Sequence, residues 1–278
     1  MTFRPLAFIH RHRPESSIVS NALGETPRLL GLFGVGGGTR VDTHTAFRAI
    51  GRPVRQALIR ARAAMIFAVP SKWRGRVAAA LPARLVPPEM RPGFFQHFFD
   101  EGDPFGFDVN TVEQLKFRRT LDVCGEGPLG RVLEVGCAVG SFTELLAPRA
   151  TDVLALDVSP AAIEQVTRRL RDHPNVRGQS MTIPAEFPEG TFDLVVASDV
   201  LYYLPVEDVQ RCLERIEAAV AEGGALVAVH YVPRMGSLLD GDETHDILAA
   251  HTTMKHVLGE RTEFGPGRTY RVDRYEKV

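Results

Sequence analysis

From residue 91 to the C-terminus, short apolar runs alternate with longer segments of helical periodicity. This alternation is typical of a parallel sheet whose two faces are covered by helices, an α/β fold. The predicted strands are residues 131–135, 153–157, 176–182, 192–198, 225–231, 260–264 and 268–276. The predicted helices are residues 111–123, 141–147, 160–172, 205–221 and 241–258. Only a Gly-Pro-Gly turn separates the last two strands, so we expect the mostly parallel sheet to end in an antiparallel hairpin.

Residues 1–90 differ from the rest of the chain in charge. They contain 14 Lys and Arg against 4 Asp and Glu, a net charge of +10, whereas residues 91–278 contain 19 against 30, a net charge of −11. The asymmetry predicts a basic, partly helical or irregular N-terminal extension attached to an acidic domain. Helices are expected at 44–69, which is basic and amphipathic, and at 73–81. They would pack on the domain, dock onto a membrane surface or an acidic partner, or mediate a homodimer. The glycine run at 34–38 lacks the GK[ST] ending of a phosphate loop and is interpreted as a linker.

Composition excludes several functional classes. The whole chain has a net charge of −1, which argues against a dedicated nucleic-acid binder. Cys124, Cys137 and Cys212 have no CxxC spacing and no metal-like clustering with histidine, so we expect no metal and a reducing, cytoplasmic location. No apolar run reaches the ~20 residues of a transmembrane helix, and the N-terminus lacks the apolar core of a signal peptide.

The first predicted strand runs into the loop VGCAVGS, residues 135–141, which precedes a helix. Gly136 permits a tight turn, and Gly140 permits close approach of the backbone to a ligand. The helix N-terminus that follows offers free N–H groups. The pattern G-x-x-x-G lacks the middle glycine of the dinucleotide fingerprint, which weakens the case for a dinucleotide.

Two acidic residues accompany this loop. Asp157 ends the second predicted strand, 17 residues beyond Gly140, where an acid can accept both ribose hydroxyls of a nucleoside. Alternatively, its carboxylate caps the helix that begins at Pro160. Glu134 lies in the first strand among apolar neighbours, where an acid is costly without a partner. A ligand ammonium group or nearby backbone N–H groups would provide that partner.

The segments LEVGCAVGSFTELL, LALDVS, FDLVVASDVLYYL and GGALVAVH follow the order and spacing of class I S-adenosylmethionine-dependent methyltransferases. More narrowly, DPFGFDVNTVEQLKFRRTL and LLDGDETHDIL resemble the nodulation protein S family, the NodS-like methyltransferases, and the resemblance covers about residues 95–278. It implies a Rossmann-like class I methyltransferase sheet, S-adenosyl-L-methionine as cofactor, S-adenosyl-L-homocysteine as product and a small-molecule acceptor. Known members N-methylate an amino sugar of a chitooligosaccharide, and related sequences serve other small-molecule pathways.

The resemblance also implies roles for individual residues. The implied cofactor contacts are Glu134, Gly136, Cys137, Ala138 and Gly140 at the methionine part, Asp157 at the ribose, Val158, Thr182 and Ile183 at the adenine, and Ser198 at the rim. Because neither Thr182 nor Ile183 is acidic, a backbone contact to the adenine amino group is expected there. Residues 91–125 would form a lid over the cofactor, and the implied lid and acceptor residues are Phe105, Phe107, Glu113, Lys116, Tyr202 and Tyr203.

Methyl transfer requires a nucleophile aligned with the S–CH₃ bond in a dry pocket. An amine or hydroxyl acceptor also has to lose a proton. His230, at the end of the fifth predicted strand, is the first candidate base and His245 the second, although either could simply hydrogen-bond substrate or backbone. Asp199 could orient a cationic amine. Glu113 and Lys116 are three apart on a helix and would either pair with each other or reach the cofactor carboxylate or the substrate.

The predicted function is therefore methyl transfer to a nitrogen or oxygen of a small molecule, such as an amino sugar or a glycosylated metabolite. O-methylation of a natural-product hydroxyl is the main rival. An NAD-linked oxidoreductase is disfavoured, because the middle glycine of the dinucleotide fingerprint, expected near Ala138, is missing and the sheet is expected to end in a hairpin. A non-catalytic nucleoside-binding module is the remaining alternative.

Overall fold

The computed structural model describes residues 66–81, 86, 90–91, 93–234, 236–264 and 267–278. The predictions for residues 1–65, including the glycine run and most of the first basic helix, lie outside the described residues. Within the described part, no helix is both long enough and apolar enough to cross a bilayer.

A seven-stranded mixed sheet forms the centre of the described part. Its strands are β1 (Arg131–Val135), β2 (Asp152–Asp157), β3 (Val176–Ser180), β4 (Phe192–Ser198), β5 (Val220–Tyr231), β6 (Lys255–Glu263) and β7 (Thr269–Glu276). Strands β3, β2, β1, β4 and β5 are parallel neighbours in that order, and β7 lies antiparallel between β5 and β6. The predicted α/β sheet with a C-terminal antiparallel pair is confirmed.

Helices flank this sheet and begin at capping residues that the sequence provides. They are α1 (Ser71–Ala80), α2 (Thr111–Val123), α3 (Thr143–Leu146), α4 (Pro160–Arg169), α5 (Val206–Ala219) and α6 (Gly241–His251), with 3-10 turns at Phe95–His97, Ala147–Arg149 and Leu201–Tyr203. The side chains of Asn110 and Ser159 accept backbone N–H groups at the starts of α2 and α4. Asp240 and Glu243 form a reciprocal capping box at the start of α6.

The central strands are near-continuous apolar runs because both faces of the sheet are covered. Leu226 of β5 belongs to the core cluster on one face, together with Leu213 and Ile216 of α5. The next residue, Val227, belongs to the cluster on the other face, which includes Phe117 of α2. Successive side chains of a strand point to opposite faces, so a single apolar strand stabilises the helices on both sides.

Strand pairing ends two of the helices earlier than the sequence predicts. The helix predicted to reach residue 258 ends at His251, and β6 begins at Lys255, because most of this segment pairs with β7 along the hairpin. The helix predicted to reach residue 221 ends at Ala219, since Val220 already pairs with Phe192 of β4. In both places strand pairing overrides a local helical pattern.

Part of the predicted N-terminal extension packs on this sheet domain. Ile66 and Ala78 belong to the core cluster that includes α5. The buried guanidinium of Arg74 lies 2.7 Å from Oε2 of Glu243 and donates to the carbonyl oxygen of Leu238 at 3.3 Å. These contacts fix α1 against the start of α6. A separate role for residues 1–90 stays a prediction.

Candidate active site

A cavity of about 710 Å³ opens at the carboxyl ends of β1, β2 and β4. This volume lies within the roughly 300–1,000 Å³ of small-molecule sites, and the carboxyl edge is where open parallel sheets bind ligands. The loops after these three strands, α2 and residues 94–107 provide its walls. Of the residues predicted for the site, only Gly140, His230 and His245 do not line the cavity.

The loop after β1 is fixed to β2 by its backbone. The N–H groups of Gly136 and Cys137 both donate to the carbonyl oxygen of Leu156 at 2.8 Å. Gly136 has φ of +79°, and a Cβ there would lie 2.8 Å from Cβ of Val200. The loop therefore needs glycine at this position for both its conformation and its packing.

Gly140 has a different role from the one predicted. It also has a positive φ, of +84°. However, a Cβ at Gly140 would face Cγ2 of Val166 in α4 at 3.1 Å rather than the cavity. This glycine allows close packing of the loop on α4, and it does not line the cavity.

Asp157, at the end of β2, is oriented towards the cavity by backbone donors. Its Oδ2 accepts the N–H of Ala138 at 3.0 Å, and its Oδ1 accepts the N–H of Ser159 at 2.9 Å. Burial raises the pKa of the Asp157 carboxyl, and these backbone hydrogen bonds oppose that shift. Ser159, not Asp157, caps α4, so the alternative role as a helix cap does not account for this carboxylate.

Glu134 is a buried acid at the wall of the cavity, with a relative exposure of 2%. Thr143 Oγ1 donates to its Oε2 at 2.6 Å, the one hydrogen bond that the described residues provide to this carboxyl. Burial raises the pKa of Glu134 to about 8, although the Thr143 hydrogen bond acts to lower it. The carboxyl is therefore protonated at neutral pH unless a cation comes beside it.

The predicted adenine contacts Val158, Thr182 and Ile183 line one end of the cavity, together with Met181. Cys137 lines the cavity nearby, and burial raises the pKa of its thiol well above the ordinary value. A thiol that stays protonated is a poor nucleophile, so Cys137 contributes packing at this site.

Three charged side chains meet at the wall of the cavity, and we call Glu113, Lys116 and Asp199 the charged cluster. Nζ of Lys116 lies 2.6 Å from Oε2 of Glu113 and 2.5 Å from Oδ2 of Asp199. Burial alone would lower the pKa of Lys116, but the two carboxylates outweigh it and raise the pKa. Lys116 is therefore an ammonium, and one positive and two negative charges leave the cluster with a net charge of −1.

Hydroxyl and backbone donors hold the two carboxylates of the charged cluster in place. Asp199 Oδ1 accepts the Tyr231 N–H at 2.8 Å and the Tyr202 hydroxyl at 3.2 Å. Glu113 Oε1 accepts the Tyr270 hydroxyl at 2.6 Å. Asp199 also has φ of +51°, a left-handed conformation that non-glycine residues adopt mainly where the surrounding structure imposes it.

Aromatic side chains form a continuous row along the cavity, which we call the aromatic arc. Neighbouring ring centroids lie 4.4–5.9 Å apart in the order Phe142, Phe117, Phe107, Phe105, Phe98, Phe95, Tyr203 and Tyr202. The arc meets the charged cluster at two points, because Tyr202 donates to Asp199 and Nζ of Lys116 lies 5.0 Å from the ring centroid of Phe117. The predicted lid residues Phe105 and Phe107 are members of the arc.

His230 and His245 are fully buried outside the cavity. Nε2 of His230 accepts the Leu201 N–H at 3.3 Å, and its Nδ1 lies 3.1 Å from Nε2 of His245. Nδ1 of His245 lies 2.7 Å from Oδ2 of Asp273. A backbone donor at one end and a carboxylate at the other fix both rings as neutral tautomers with every nitrogen engaged. Burial lowers the pKa of both histidines.

The histidines therefore do not have the geometry of the predicted bases. No ring nitrogen of His230 or His245 is left to accept a proton from a molecule in the cavity. Instead, His230 holds the 3-10 turn Leu201–Tyr203, which carries Tyr202 and Tyr203 into the cavity wall. Hydrogen bonding to the backbone, the alternative role considered from the sequence, is what the geometry supports.

Several lining residues were not named individually from the sequence, although some of them lie in the predicted lid. They include Phe94, Phe95, Phe98, Phe99, Asn110, Phe117, Phe142, Met181, Val200, Leu204, Tyr231, Arg268 and Tyr270. The run FFQHFF at 94–99, with four phenylalanines in six residues, was a usable signal for the first of these. Tyr231 and Tyr270 come to the cavity from neighbouring antiparallel strands, a pairing that local patterns do not reveal.

Comparisons with known proteins agree with this geometry. A family model described as "Methyltransferase domain" matches residues 133–226. Nodulation protein S of Rhizobium tropici is 34% identical over 127 residues, which are 45% of this chain and 53% of that protein. The chain thus spans about half the length of this curated relative.

Solved structures show the same fold. N-methyltransferase NodS from Bradyrhizobium japonicum WM9, crystallised with S-adenosyl-L-homocysteine, has a TM-score of 0.61 at 24% identity and covers 66% of this chain and 98% of its own. Magnesium protoporphyrin IX methyltransferase (ChlM) from Synechocystis PCC 6803 has a TM-score of 0.54 at 16% identity and covers 68% of this chain and 98% of its own. The resemblance indicated by the sequence motifs is confirmed: the chain carries a class I S-adenosylmethionine-dependent methyltransferase domain that is similar to nodulation protein S.

Proposed function

We propose that the chain transfers the methyl group of S-adenosylmethionine to a nitrogen of a small-molecule acceptor. The observation that carries this proposal is a single cavity with two chemically different ends. One end has the glycine loop and Asp157, the other has the charged cluster, and the aromatic arc runs along the cavity.

The first end suits each part of the cofactor. The remaining lone pairs of the Asp157 carboxylate would accept ribose hydroxyls, and Val158, Met181 and Ile183 would enclose the adenine. Glu134 needs a neighbouring cation to ionise, and the amino group of the methionine part would provide it. When bound, the cofactor supplies a methyl group that is already activated. The chain therefore has to position the acceptor and exclude water, rather than activate the donor.

The second end favours an amine over a hydroxyl. The charged cluster has a net charge of −1 in a partly buried site, which attracts a cationic ammonium. Asp199 would hold the acceptor nitrogen. A cationic amine would first release one proton to water, which frees the nitrogen lone pair for attack on the methyl group, and the neutral amine would then donate a hydrogen bond to Asp199. A hydroxyl acceptor needs a base in contact with it, and both candidate histidines are buried away from the cavity. This contrast supports N-methylation over O-methylation.

The experiment measures S-adenosylhomocysteine formation by mass spectrometry with a panel of primary amines, each beside its matched alcohol. We expect turnover with amines and none with the alcohols. An Asp199→Asn variant should lose about 10- to 100-fold in kcat/KM, because a charge-assisted hydrogen bond is lost. The control is Tyr202→Phe, which removes a neighbouring hydroxyl but keeps the charge. Turnover with alcohols and not with amines would refute the nitrogen assignment.

Two coarser expectations remain part of this proposal. Cys124, Cys137 and Cys212 are free, and we propose a reducing, cytoplasmic location for the protein. We also propose that the basic residues 1–90 mediate docking to an acidic partner or a homodimer. Such an association would weaken with salt, which sedimentation at low and high ionic strength would test.

A further inference from the structure

The apolar character of the acceptor end limits what the body of the acceptor can be. Resting on the proposed function, we infer that the acceptor is an amine attached to an aromatic or aliphatic body, and that this body lies against the Phe95–Tyr203 end of the aromatic arc. The acceptor class would then be an arylalkyl or alkyl amine rather than an oligosaccharide.

Aromatic rings follow Asp199 along the cavity wall. Asp199, where the acceptor nitrogen would be held, accepts the hydroxyl of Tyr202 at 3.2 Å. The Tyr202 ring centroid is 4.5 Å from that of Tyr203, which in turn is 4.4 Å from that of Phe95. These contacts lead along the cavity wall from Asp199 to Phe95, so the body of an acceptor with its nitrogen beside Asp199 can lie against these rings.

The acceptor end of the cavity offers few hydrogen-bonding groups to the body of an acceptor. Three hydrogen-bond donors at this end are already engaged: Lys116 with both carboxylates, Tyr202 with Asp199, and Tyr270 with Glu113. The phenylalanines of the arc have no hydrogen-bonding groups. Hydroxyls of a sugar buried against them would lose water without gaining partners, which is costly. An apolar body meets no such cost.

The aromatic arc exposes apolar surface to the cavity. Phe105 is 41% exposed although it is a large apolar side chain. Leu204 adds aliphatic surface to the same cavity. When an apolar group covers the apolar surface of a concave site, the free energy is lowered. An ammonium close to aromatic faces is further favoured by cation–π attraction.

The test compares two protonated amines that differ in the body. Full-length protein saturated with S-adenosylhomocysteine is titrated calorimetrically with 2-phenylethylamine and with glucosamine. We expect 2-phenylethylamine to bind at least about tenfold more tightly. Glucosamine that binds equally or more tightly, or 2-phenylethylamine that does not bind, would overturn the inference.

A variant locates the body on the arc. Phe95→Ala should weaken the binding of 2-phenylethylamine about five- to tenfold, since one aromatic contact is lost, and should leave the binding of glucosamine unchanged. The matched control Gln96→Ala alters an exposed neighbour in the same 3-10 turn. It should change neither the affinity for 2-phenylethylamine nor that for glucosamine. S-adenosylhomocysteine affinity is measured first for each protein. A wild type that does not bind it would refute the proposed function itself, whereas normal cofactor binding without preference for the apolar amine would refute only this inference.

Discussion

Replacing Glu134 with glutamine should stabilise the ligand-free chain at neutral and alkaline pH while weakening its affinity for the cofactor. The wild-type carboxyl is buried, and its pKa is raised to about 8 from the ordinary 4.5. At a pH between these two pKa values, the unfolded chain has released the Glu134 proton and the folded chain has retained it. Stability therefore falls as pH rises through this window. Glutamine cannot ionise and can still accept the Thr143 hydroxyl through its amide oxygen.

The size of the effect follows from the two pKa values. The interval from 4.5 to about 8 corresponds to about 5 kcal/mol at roughly 1.4 kcal/mol per pH unit. The variant and the wild type should be close in stability near pH 4.5. The variant should then become progressively more stable, approaching the full difference at pH 8.

Urea unfolding at several pH values between 5 and 8 measures this difference directly. Glu126→Gln makes the same change at an exposed acid and should leave the pH profile as in the wild type. A stability difference between Glu134→Gln and wild type that does not vary with pH would refute the reasoning. Calorimetry provides a second readout: S-adenosylhomocysteine binding at pH 7 should release about one proton in the wild type, as Glu134 ionises beside the ligand amino group, and none in the variant.

Three further predictions concern other parts of the site. Gly136→Ala should abolish S-adenosylhomocysteine binding, because its Cβ would lie 2.8 Å from a valine side chain at a φ of +79°. By contrast, Gly127→Ala has a positive φ but nothing within 4 Å of the new Cβ, and calorimetry should show normal binding. Lys116→Met leaves two partly buried carboxylates without their cation and should lower the free energy of unfolding by about 3–5 kcal/mol in urea; an unchanged midpoint would contradict the ion pairs of Lys116. Burial lowers the pKa of His230 and His245, so stability should fall as pH drops below 6.5, and His230→Phe should reduce that slope; an identical slope would contradict the neutral pair.

The parts of the fold that the sequence predicts are those set by local patterns. The glycine loop, Asp157 and the apolar strands were identified because a tight turn, a strand end and burial on both faces each leave a local signature. The ends of α5 and α6 were misjudged because pairing of Val220 and of Lys255 with distant strands decides them. Helical pattern alone contains no information about such partners.

The candidate site shows the same division. Glu113 and Lys116 were singled out as a pair, but the sequence gives no sign that Asp199, 83 residues further along the chain, shares the lysine. His230 was predicted to face the cavity because it lies at the end of β5. Its ring instead points to His245 and the backbone of Leu201, a direction that depends on how α6 packs against the sheet.

The most direct test of the central claim is calorimetric titration of the full chain with S-adenosylhomocysteine, beside Asp157→Ala and beside NAD. We expect micromolar binding of S-adenosylhomocysteine by the wild type, its loss in the variant, and no binding of NAD. Folded wild type that binds NAD, or that does not bind S-adenosylhomocysteine, would contradict the account.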